Sequence, residues 1–207
     1  MSNKSDLEKA PSLKMLRKTM RKVQDSKRYE HTLGVEYTAA ALAMHYGSNL
    51  SDALTAGLLH DCAKCLPGEK LLKICEKNHI AVTEAERKHP YLLHGKVGGF
   101  LAEQKYGVRN REVIDAIVNH TTGREGMSLL EKIVFVADYI EPGRDHAPNL
   151  DELRRLAFQD IDRVLLRILE DTLAYLKTDG RMIDPRTERT LRYYEKMMKQ
   201  EHENDNK

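Results

Sequence analysis

The stretch AGLLHDCAK at residues 56–64 sets a histidine and an aspartate side by side in an otherwise apolar helical segment. An unpaired carboxylate is costly to bury, so Asp61 in this setting needs a strong partner. A divalent metal ion is one such partner, and further His and Asp residues recur downstream in equally apolar surroundings. The stretch therefore indicates a helical protein with a metal site.

The composition describes an ordinary globular domain. The chain has 207 residues, 41% of them hydrophobic and 32% charged, with a net charge of +2. This balance gives no reason to expect nucleic-acid or membrane binding. No apolar run approaches the ~18 residues of a membrane span, and the N-terminus lacks the apolar region of a signal peptide. Three cysteines, an odd number, favour a reducing cytoplasm.

Apolar residues recur at helical spacing along nearly the whole chain, so the sequence predicts an all-α fold without a sheet. We expect a disordered N-terminus over residues 1–10, a single domain over 11–200 and a polar tail over 201–207. The β-prone triplet at residues 134–136 is still assigned to a helix. The predicted helices run from Pro11 to Val23, Ser26 to Tyr46, Ser51 to Lys64, from Pro67 onward, Leu92 to Tyr106, Asn110 to His120, Ser128 to Ile140, Asn149 to Lys177 and Pro185 to about Glu201.

Four polar residues fall on apolar faces of three of these helices. His31 and Asp138 each lie on an inward stripe, and His60 and Asp61 follow one another in the third helix. Adjacent helical positions diverge by about 100°, yet both can bend toward one ion at a helix junction. Taken singly, such a His is more often a hydrogen-bonded core residue, and such an Asp a cap or ion-pair member. The set together favours a shared metal ion.

Five blocks of sequence carry a resemblance to a known family. They are RYEHT (28–32), LHDCAK (59–64), HGKVG (94–98), HTTG (120–123) and VADYIEP (136–142). In this order they resemble the YqeK family of the HD-domain superfamily of metal-dependent phosphohydrolases, over roughly residues 14–185. The resemblance implies an HD-domain helical bundle with additional C-terminal helices, which cleaves diadenosine tetraphosphate symmetrically to two ADP.

The same resemblance implies a metal site and a catalytic set. His31, His60, Asp61 and Asp138 would hold iron, although these ligands also suit Mn, Co or Zn. His94 and His120 would contact the nucleotide phosphates or complete a second metal site, so that one or two ions remain open. With two ions, Asp61 is the natural bridge, because a carboxylate has two oxygens to share.

Candidates for substrate binding surround these positions. Arg28 and Arg144 would clamp phosphate oxygens, a task that suits the planar guanidinium fork, and Lys64 and Thr121 are further candidates. His31 and Asp138 would also face the substrate. The plainer interpretations are solvated surface for the cations and, for His120, a histidine favoured by the helix dipole.

The resemblance also suggests that residues 179–184 close over the adenosine. Met182 and Ile183 could pack on a purine, and Arg181 could stack or pair with a phosphate. The same residues equally describe a plain turn, with Gly180 ending one helix and Pro185 starting the next.

Other conspicuous residues are assigned no role in the site. His94 is preferred to His89, although His89 stands before a proline as metal-binding histidines of the wider superfamily often do. The remaining histidines, at positions 45, 79, 146 and 202, are predicted at the surface. Cys62 and Cys65 lack the two further soft ligands of a zinc site, so they are treated as ordinary small residues.

Two alternative functions stay open: turnover of another nucleotide, such as a monophosphate or cyclic nucleotide, and a non-catalytic nucleotide-binding HD module. A homodimer is compatible with the sequence, which does not decide the oligomeric state.

Overall fold

The computed structural model describes residues 12–180 and 182–205 of the chain. Helices and turns make up this part of the protein, and it contains no strand, which confirms the predicted all-α class. The helices are α1 (Leu13–Val23), α2 (Ser26–Tyr46), α3 (Leu50–Leu59), α4 (Gly68–Lys77), α5 (Glu84–Lys88), α6 (His94–Gln104), α7 (Arg111–Asn119), α8 (Leu129–Ile140), α9 (Leu150–Leu156), α10 (Ile161–Thr178) and α11 (Pro185–Asp205), with a 3-10 turn at Pro90–Leu93. None of them is both long and apolar enough to cross a bilayer.

Side-chain caps fix where most of these helices begin. The main-chain N–H groups of a first turn have no partner inside the helix, and a short polar side chain can accept their hydrogen bonds. Six helices start in this way, after Asp25, Asn49, Thr83, Asn110, Ser128 and Asp160. At the other end of α2, Gly47 adopts the left-handed conformation with φ 70°, which ends the helix where the sequence predicts.

One continuous hydrophobic core runs through the bundle, from Leu16 in α1 to Tyr194 in α11. A smaller hydrophobic cluster lies between α4, the 3-10 turn and α6, and it includes Leu71, Leu93 and Val97. Helices α2 and α3 approach closely at Gly57, where an added Cβ would lie 2.9 Å from the Cα of Glu36. The absence of a side chain there lets the end of α3 reach α2 at the level of His31.

Several predicted helix boundaries are wrong. Helix α3 begins at Leu50 rather than after Ser51, because Asn49 caps it, and it ends at Leu59 rather than Lys64. The predicted helix from Asn149 to Lys177 is two helices, because the side chain of Asp160 accepts from two main-chain N–H groups and starts α10.

Other predicted boundaries also differ from the structure or lie outside the described residues. The short helix α5 was not predicted, and the residues before His94 form a 3-10 turn instead of the start of α6. Helix α11 continues to Asp205, into the predicted polar tail. The predicted disordered residues 1–10, the helix start at Pro11 and the last two residues lie outside the described part. The β-prone residues 134–136 are helical within α8, as predicted.

Candidate metal and phosphate site

Four imidazoles and two carboxylates converge where five helices meet. They come from the middle of α2, the end of α3, the start of α6, the end of α7 and the last turns of α8. The six residues are His31, His60, Asp61, His94, His120 and Asp138, all of them predicted from the sequence. Three of the imidazoles, those of His60, His94 and His120, are almost completely buried.

These three buried histidines share one arrangement at a helix terminus. In each of them the ring Nδ1 lies 2.7 Å from the carbonyl oxygen three residues earlier, at Gly57, Tyr91 and Ile117. A carbonyl oxygen only accepts hydrogen bonds, so Nδ1 must carry the proton. In the neutral form of each ring, Nε2 then presents its lone pair to the centre of the site.

The Nε2 atoms lie so close together in pairs that the lone pairs of two unprotonated nitrogens would repel each other. His31 and His60 are 3.3 Å apart at Nε2, and His94 and His120 are 3.2 Å apart. Ligands around an ion with bonds of about 2.0–2.1 Å are separated by roughly 3.0–3.4 Å, so both spacings match neighbouring ligands of one ion. The donor chemistry and its spacing therefore fit a divalent metal.

Asp61 connects the two pairs of histidines. Its Oδ2 lies 3.5 Å from Nε2 of His60, and its Oδ1 lies 3.5 Å from Nε2 of both His94 and His120. Oδ1 is buried and accepts no hydrogen bond in the structure. Asp138 completes the first group, with Oδ1 3.1 Å from Nε2 of His31.

The electrostatics of the centre keep Asp61 and His94 in their metal-binding forms. Burial pushes the pKa of Asp61 upward, but the facing His60 and His120 and the charge of Lys64 hold it well below its usual range. Burial and the nearby Lys64 ammonium lower the pKa of His94 to about 3, so its ring is neutral at physiological pH. An ionised carboxylate and neutral imidazoles are the forms that coordinate metals.

The predicted cations lie at the edge of the same centre. Arg28 donates from Nη1 to Oδ2 of Asp61 at 2.7 Å, and Nη2 of Arg144 is 3.3 Å from Oδ1 of Asp138. Lys64 Nζ is 3.2 Å from Nε2 of His94. The hydroxyl of Thr121 is 3.1 Å from the same nitrogen, so it belongs to this group as well.

His60 and Asp61, two consecutive residues, lie where α3 passes into a turn. In a continuous helix His60 and Asp61 would point about 100° apart. The helix instead ends at Leu59, and the chain continues in turns through residue 65. His60 itself keeps helical backbone angles, with φ −51° and ψ −43°, and its Nε2 still lies 3.5 Å from Oδ2 of Asp61.

Sequence reasoning missed Glu141, which lies almost completely buried just after α8. Its Oε1 is 3.1 Å from Nδ1 of His31, and its Oε2 accepts from the main-chain N–H of Gly143. Gly34 leaves the room for this carboxylate, because a Cβ at that position would collide with it. Carboxylates in this position fix the tautomer of a metal-binding histidine. The available signal was a glutamate directly before a proline, three residues after Asp138.

Two cavities open onto the centre. One of about 400 Å³ lies between α8 and α10 and is lined mainly by apolar and aromatic side chains, with His120, Thr121 and Asp138 at its inner end. The other, of about 600 Å³, lies beside α2 and is lined mainly by charged residues, among them Arg28 and His31. Arg144 lines both cavities.

Some predicted residues lie outside this arrangement. Met182 is 38% exposed, and neither it nor Ile183 lines the two cavities. Arg181 lies outside the described residues. His89 is outside the cluster, beside Tyr91.

The other histidines and the three cysteines do not belong to the central group of six residues. His45, His79 and His146 are exposed as predicted, although His146 also lines the rims of both cavities, and the side chain of His202 lies outside the described part. Cys62, Cys65 and Cys75 are free thiols, and the Sγ of Cys62 contacts the carbonyl of Gly98.

Comparison with known proteins agrees with this geometry. The chain belongs to the HD domain family, whose pattern matches residues 28–143 and so includes all six residues of the centre. The chain is similar to the symmetrical bis(5'-nucleosyl)-tetraphosphatase of Bacillus subtilis, with 38% identity over 77% of this chain and 85% of that protein. It is also similar to the protein of the same name from Staphylococcus aureus, with 35% identity over 81% of this chain and 87% of the relative.

A solved structure supports the same fold. An HD superfamily hydrolase from Clostridium acetobutylicum, described as involved in NAD metabolism, superposes with a TM-score of 0.87 and 39% identity. The match covers 90% of this chain and 98% of the other.

Proposed function

We propose that this protein is a metal-dependent hydrolase that cleaves diadenosine tetraphosphate symmetrically into two ADP. One observation carries the proposal: four imidazole Nε2 atoms and the unpartnered Oδ1 of Asp61 converge in a buried centre between two cavities. The relatives named for this activity match most of the chain, and they supply the substrate. The single catalytic domain is taken to extend over residues 11–200.

The donor set favours two ions over one. His31, His60, Asp61 and Asp138 would hold the first, and Asp61, His94 and His120 the second, with the two oxygens of Asp61 directed to different groups. Iron is the proposed metal, with Mn, Co and Zn as alternatives of compatible ligand chemistry. A bound divalent ion lowers the pKa of water and neutralises charge on phosphoryl oxygens.

The chain's own cations position the polyphosphate. Arg28 and Arg144 now lie on the carboxylates of Asp61 and Asp138, and each can turn a guanidinium N–H toward phosphate. Lys64 and Thr121 lie on the opposite side, beside His94, where the ammonium and hydroxyl can donate to oxygens of the departing ADP. Cleavage of a phosphoanhydride depends mainly on such positioning and charge neutralisation.

The buried histidines keep their ligand atoms free for this task. The main-chain carbonyl beside each Nδ1 retains the proton there, so Nε2 does not compete with substrate as a donor. We place the protein in the cytoplasm, where free cysteines stay reduced.

Product analysis tests the function directly. The protein loaded with iron, manganese or cobalt is incubated with diadenosine tetraphosphate, and the nucleotides are separated by chromatography. We expect ADP alone, whereas AMP with ATP would refute the cleavage position. Turnover confined to AMP or to a cyclic nucleotide would favour the first alternative function, and tight ADP binding without turnover of any nucleotide would favour the second.

A matched pair of histidine variants tests the site. His94→Ala should lose nearly all activity, because it removes a residue at the centre. His89→Ala, five residues earlier and outside the cluster, should keep it. Equal activity of the two variants would contradict the proposed site.

A further inference from the structure

We propose that Gln24, at the corner between α1 and α2, is a positioning residue that holds Asp61 in place for metal binding. The inference rests on the metal site of the proposed function, and it adds a residue that lies before the part of the chain matched by the HD pattern. Gln24 acts through the turn after α3 (residues 60–65), from which Asp61 faces both pairs of histidines.

A hydrogen bond connects this corner to the main chain of the turn. Nε2 of Gln24 donates to the carbonyl oxygen of Asp61 at 3.2 Å. A carbonyl oxygen only accepts, so the amide must face it with its nitrogen. The same oxygen accepts from the main-chain N–H of Lys64 at 3.0 Å, which closes the turn. Among the described residues, Gln24 is the one side chain outside the turn that bonds to its main chain.

The other end of the same amide is a buried oxygen without a partner. Gln24 is 8% exposed, and its Oε1 accepts no hydrogen bond from the described part of the chain. A buried acceptor without a partner costs free energy. A methionine would fill similar space without that cost, so the stability of the fold does not explain the amide. The need for a donor to the carbonyl of Asp61 does explain it.

Gln24 complements the contact that Arg28 makes with the side chain of the same aspartate. Arg28 donates to Oδ2 of Asp61 at 2.7 Å, but its side chain is 33% exposed and, in the proposed function, can turn toward phosphate. The amide of Gln24 is buried among packed side chains and has no such freedom. The main chain of Asp61 therefore stays in place when Arg28 exchanges the carboxylate for substrate.

A carboxylate that serves two groups of histidines tolerates little displacement. Oδ2 of Asp61 lies 3.5 Å from Nε2 of His60, and Oδ1 lies 3.5 Å from Nε2 of His94. Bonds to a metal ion keep their lengths within about 0.2 Å. Residues that orient metal ligands from behind typically contribute about 10–100-fold to metal affinity. The loss of Gln24 should therefore be visible in metal affinity rather than in folding.

A pair of variants at the two ends of α2 tests the inference. Gln24→Met removes the donor and keeps the length of the side chain. The matched control, Tyr46→Phe, removes a bond of the same kind, from the hydroxyl to the carbonyl of Ala157 at 2.8 Å. Cobalt affinity is measured by competition with a chromophoric chelator, and stability by urea denaturation of the metal-free protein.

The two variants should respond in opposite ways. We expect Gln24→Met to bind cobalt about tenfold more weakly, with an unchanged or higher urea midpoint, because the unpartnered Oε1 is removed as well. Tyr46→Phe should lower the midpoint and keep the wild-type cobalt affinity. The absorption spectrum of bound cobalt, which depends on the arrangement of its ligands, should shift only in Gln24→Met.

Hydrogen exchange of the metal-free protein tests the same contact without a ligand. In Gln24→Met the amides of residues 62–66 should exchange about fivefold faster, because opening the turn no longer breaks the bond from Gln24. The same amides should exchange at the wild-type rate in Tyr46→Phe.

Wild-type cobalt affinity in Gln24→Met would overturn the inference, as would an equal loss of affinity in Tyr46→Phe. If Gln24→Met does not fold, Gln24→Asn gives the same comparison, because its shorter side chain withdraws the donor from the carbonyl of Asp61. Failure of the proposed function looks different: diadenosine tetraphosphate would not be cleaved by the wild-type protein, while the loss of cobalt affinity confined to Gln24→Met would persist.

Discussion

The buried polar cluster around Glu131 and the one at the candidate metal and phosphate site differ in whether their hydrogen bonds are complete. Around Glu131, which is 1% exposed, both carboxylate oxygens accept bonds, from Arg124, from the amide of Asn119 and from the main-chain N–H of Ser128. At the metal and phosphate site, Oδ1 of Asp61 accepts none, and imidazole nitrogens face one another. Buried polar groups without partners are costly, so the second cluster is built for a ligand.

The largest expected effect comes from removing the residue that joins both halves of the incomplete cluster. Asp61→Ala should lower kcat/KM for diadenosine tetraphosphate at least about 10³-fold, because several kcal/mol of charge stabilisation by bound metal are lost. Without added metal, thermal unfolding should shift only modestly, since the variant removes the unpartnered Oδ1 together with the partly exposed ion pair between Arg28 and Oδ2. A strongly destabilised variant would show that Asp61 is structural.

A smaller effect is expected from Glu141, which orients His31. Glu141→Gln should weaken metal binding about 10–100-fold, measured by competition with a chromophoric chelator. Gly34→Ala should have a similar effect, because its Cβ displaces the same carboxylate. Tyr37→Ala, on the same helix and 56% exposed, serves as the control. Wild-type metal affinity in both site variants would exclude this role for Glu141.

A substitution in the fully hydrogen-bonded cluster around Glu131 should lower the stability of the protein and leave the activity of the folded molecules unchanged. Glu131→Gln should lower the free energy of unfolding by about 2 kcal/mol, since bonds to a charged acceptor are lost. The exposed pair of Glu84 and Lys88 offers a control, and Glu84→Gln should change little. Urea denaturation measures both, and equal effects would contradict the comparison.

The destabilisation by Glu131→Gln should also depend on pH. Burial raises the pKa of Glu131, but the bonds from Arg124, Ser128 and Asn119 together outweigh it and leave the pKa below its ordinary value of 4.5. A depressed carboxyl pKa contributes stability that is present above the unfolded pKa and is lost as pH falls through the folded one. The difference between wild type and variant should therefore be full at pH 7 and shrink below about pH 4.5. A difference that grows in acid would be the opposite of the expected sign.

The smallest effect concerns the thiols. Burial raises the pKa of Cys62 to about 12 and raises that of Cys75, whereas Cys65 is exposed. Only the thiolate reacts with alkylating reagents, so at pH 8 one thiol should be labelled in the native protein and three in urea. Mass spectrometry locates the label, and rapid modification of Cys62 would contradict the described burial of the loop after α3.

The sequence predicted much of the site and less of its surroundings. Four of the central residues, His31, His60, Asp61 and Asp138, were accessible because each interrupts an apolar pattern. His94 and His120 followed from the family resemblance that the order of the motifs indicated. Glu141 was missed because its role depends on its contact with a residue 110 positions away. The family resemblance suggested residues 179–184 as a contact of the nucleoside, with a plain turn as the alternative, and Met182 and Ile183 line neither of the two cavities at the centre.

The amino-acid sequence by itself determined the helical class and the identities of the candidate metal-binding side chains, since these depend on periodicity, local chemistry and the order of the motifs. Only the tertiary structure decided that α3 stops at Leu59, that the ring Nδ1 atoms are held by carbonyls, and that Asp61 offers one oxygen to each pair of histidines. The physical reason is that several side chains can bind one ion only if their donor atoms lie within coordination distance of it. The packing of the helices against one another sets those distances.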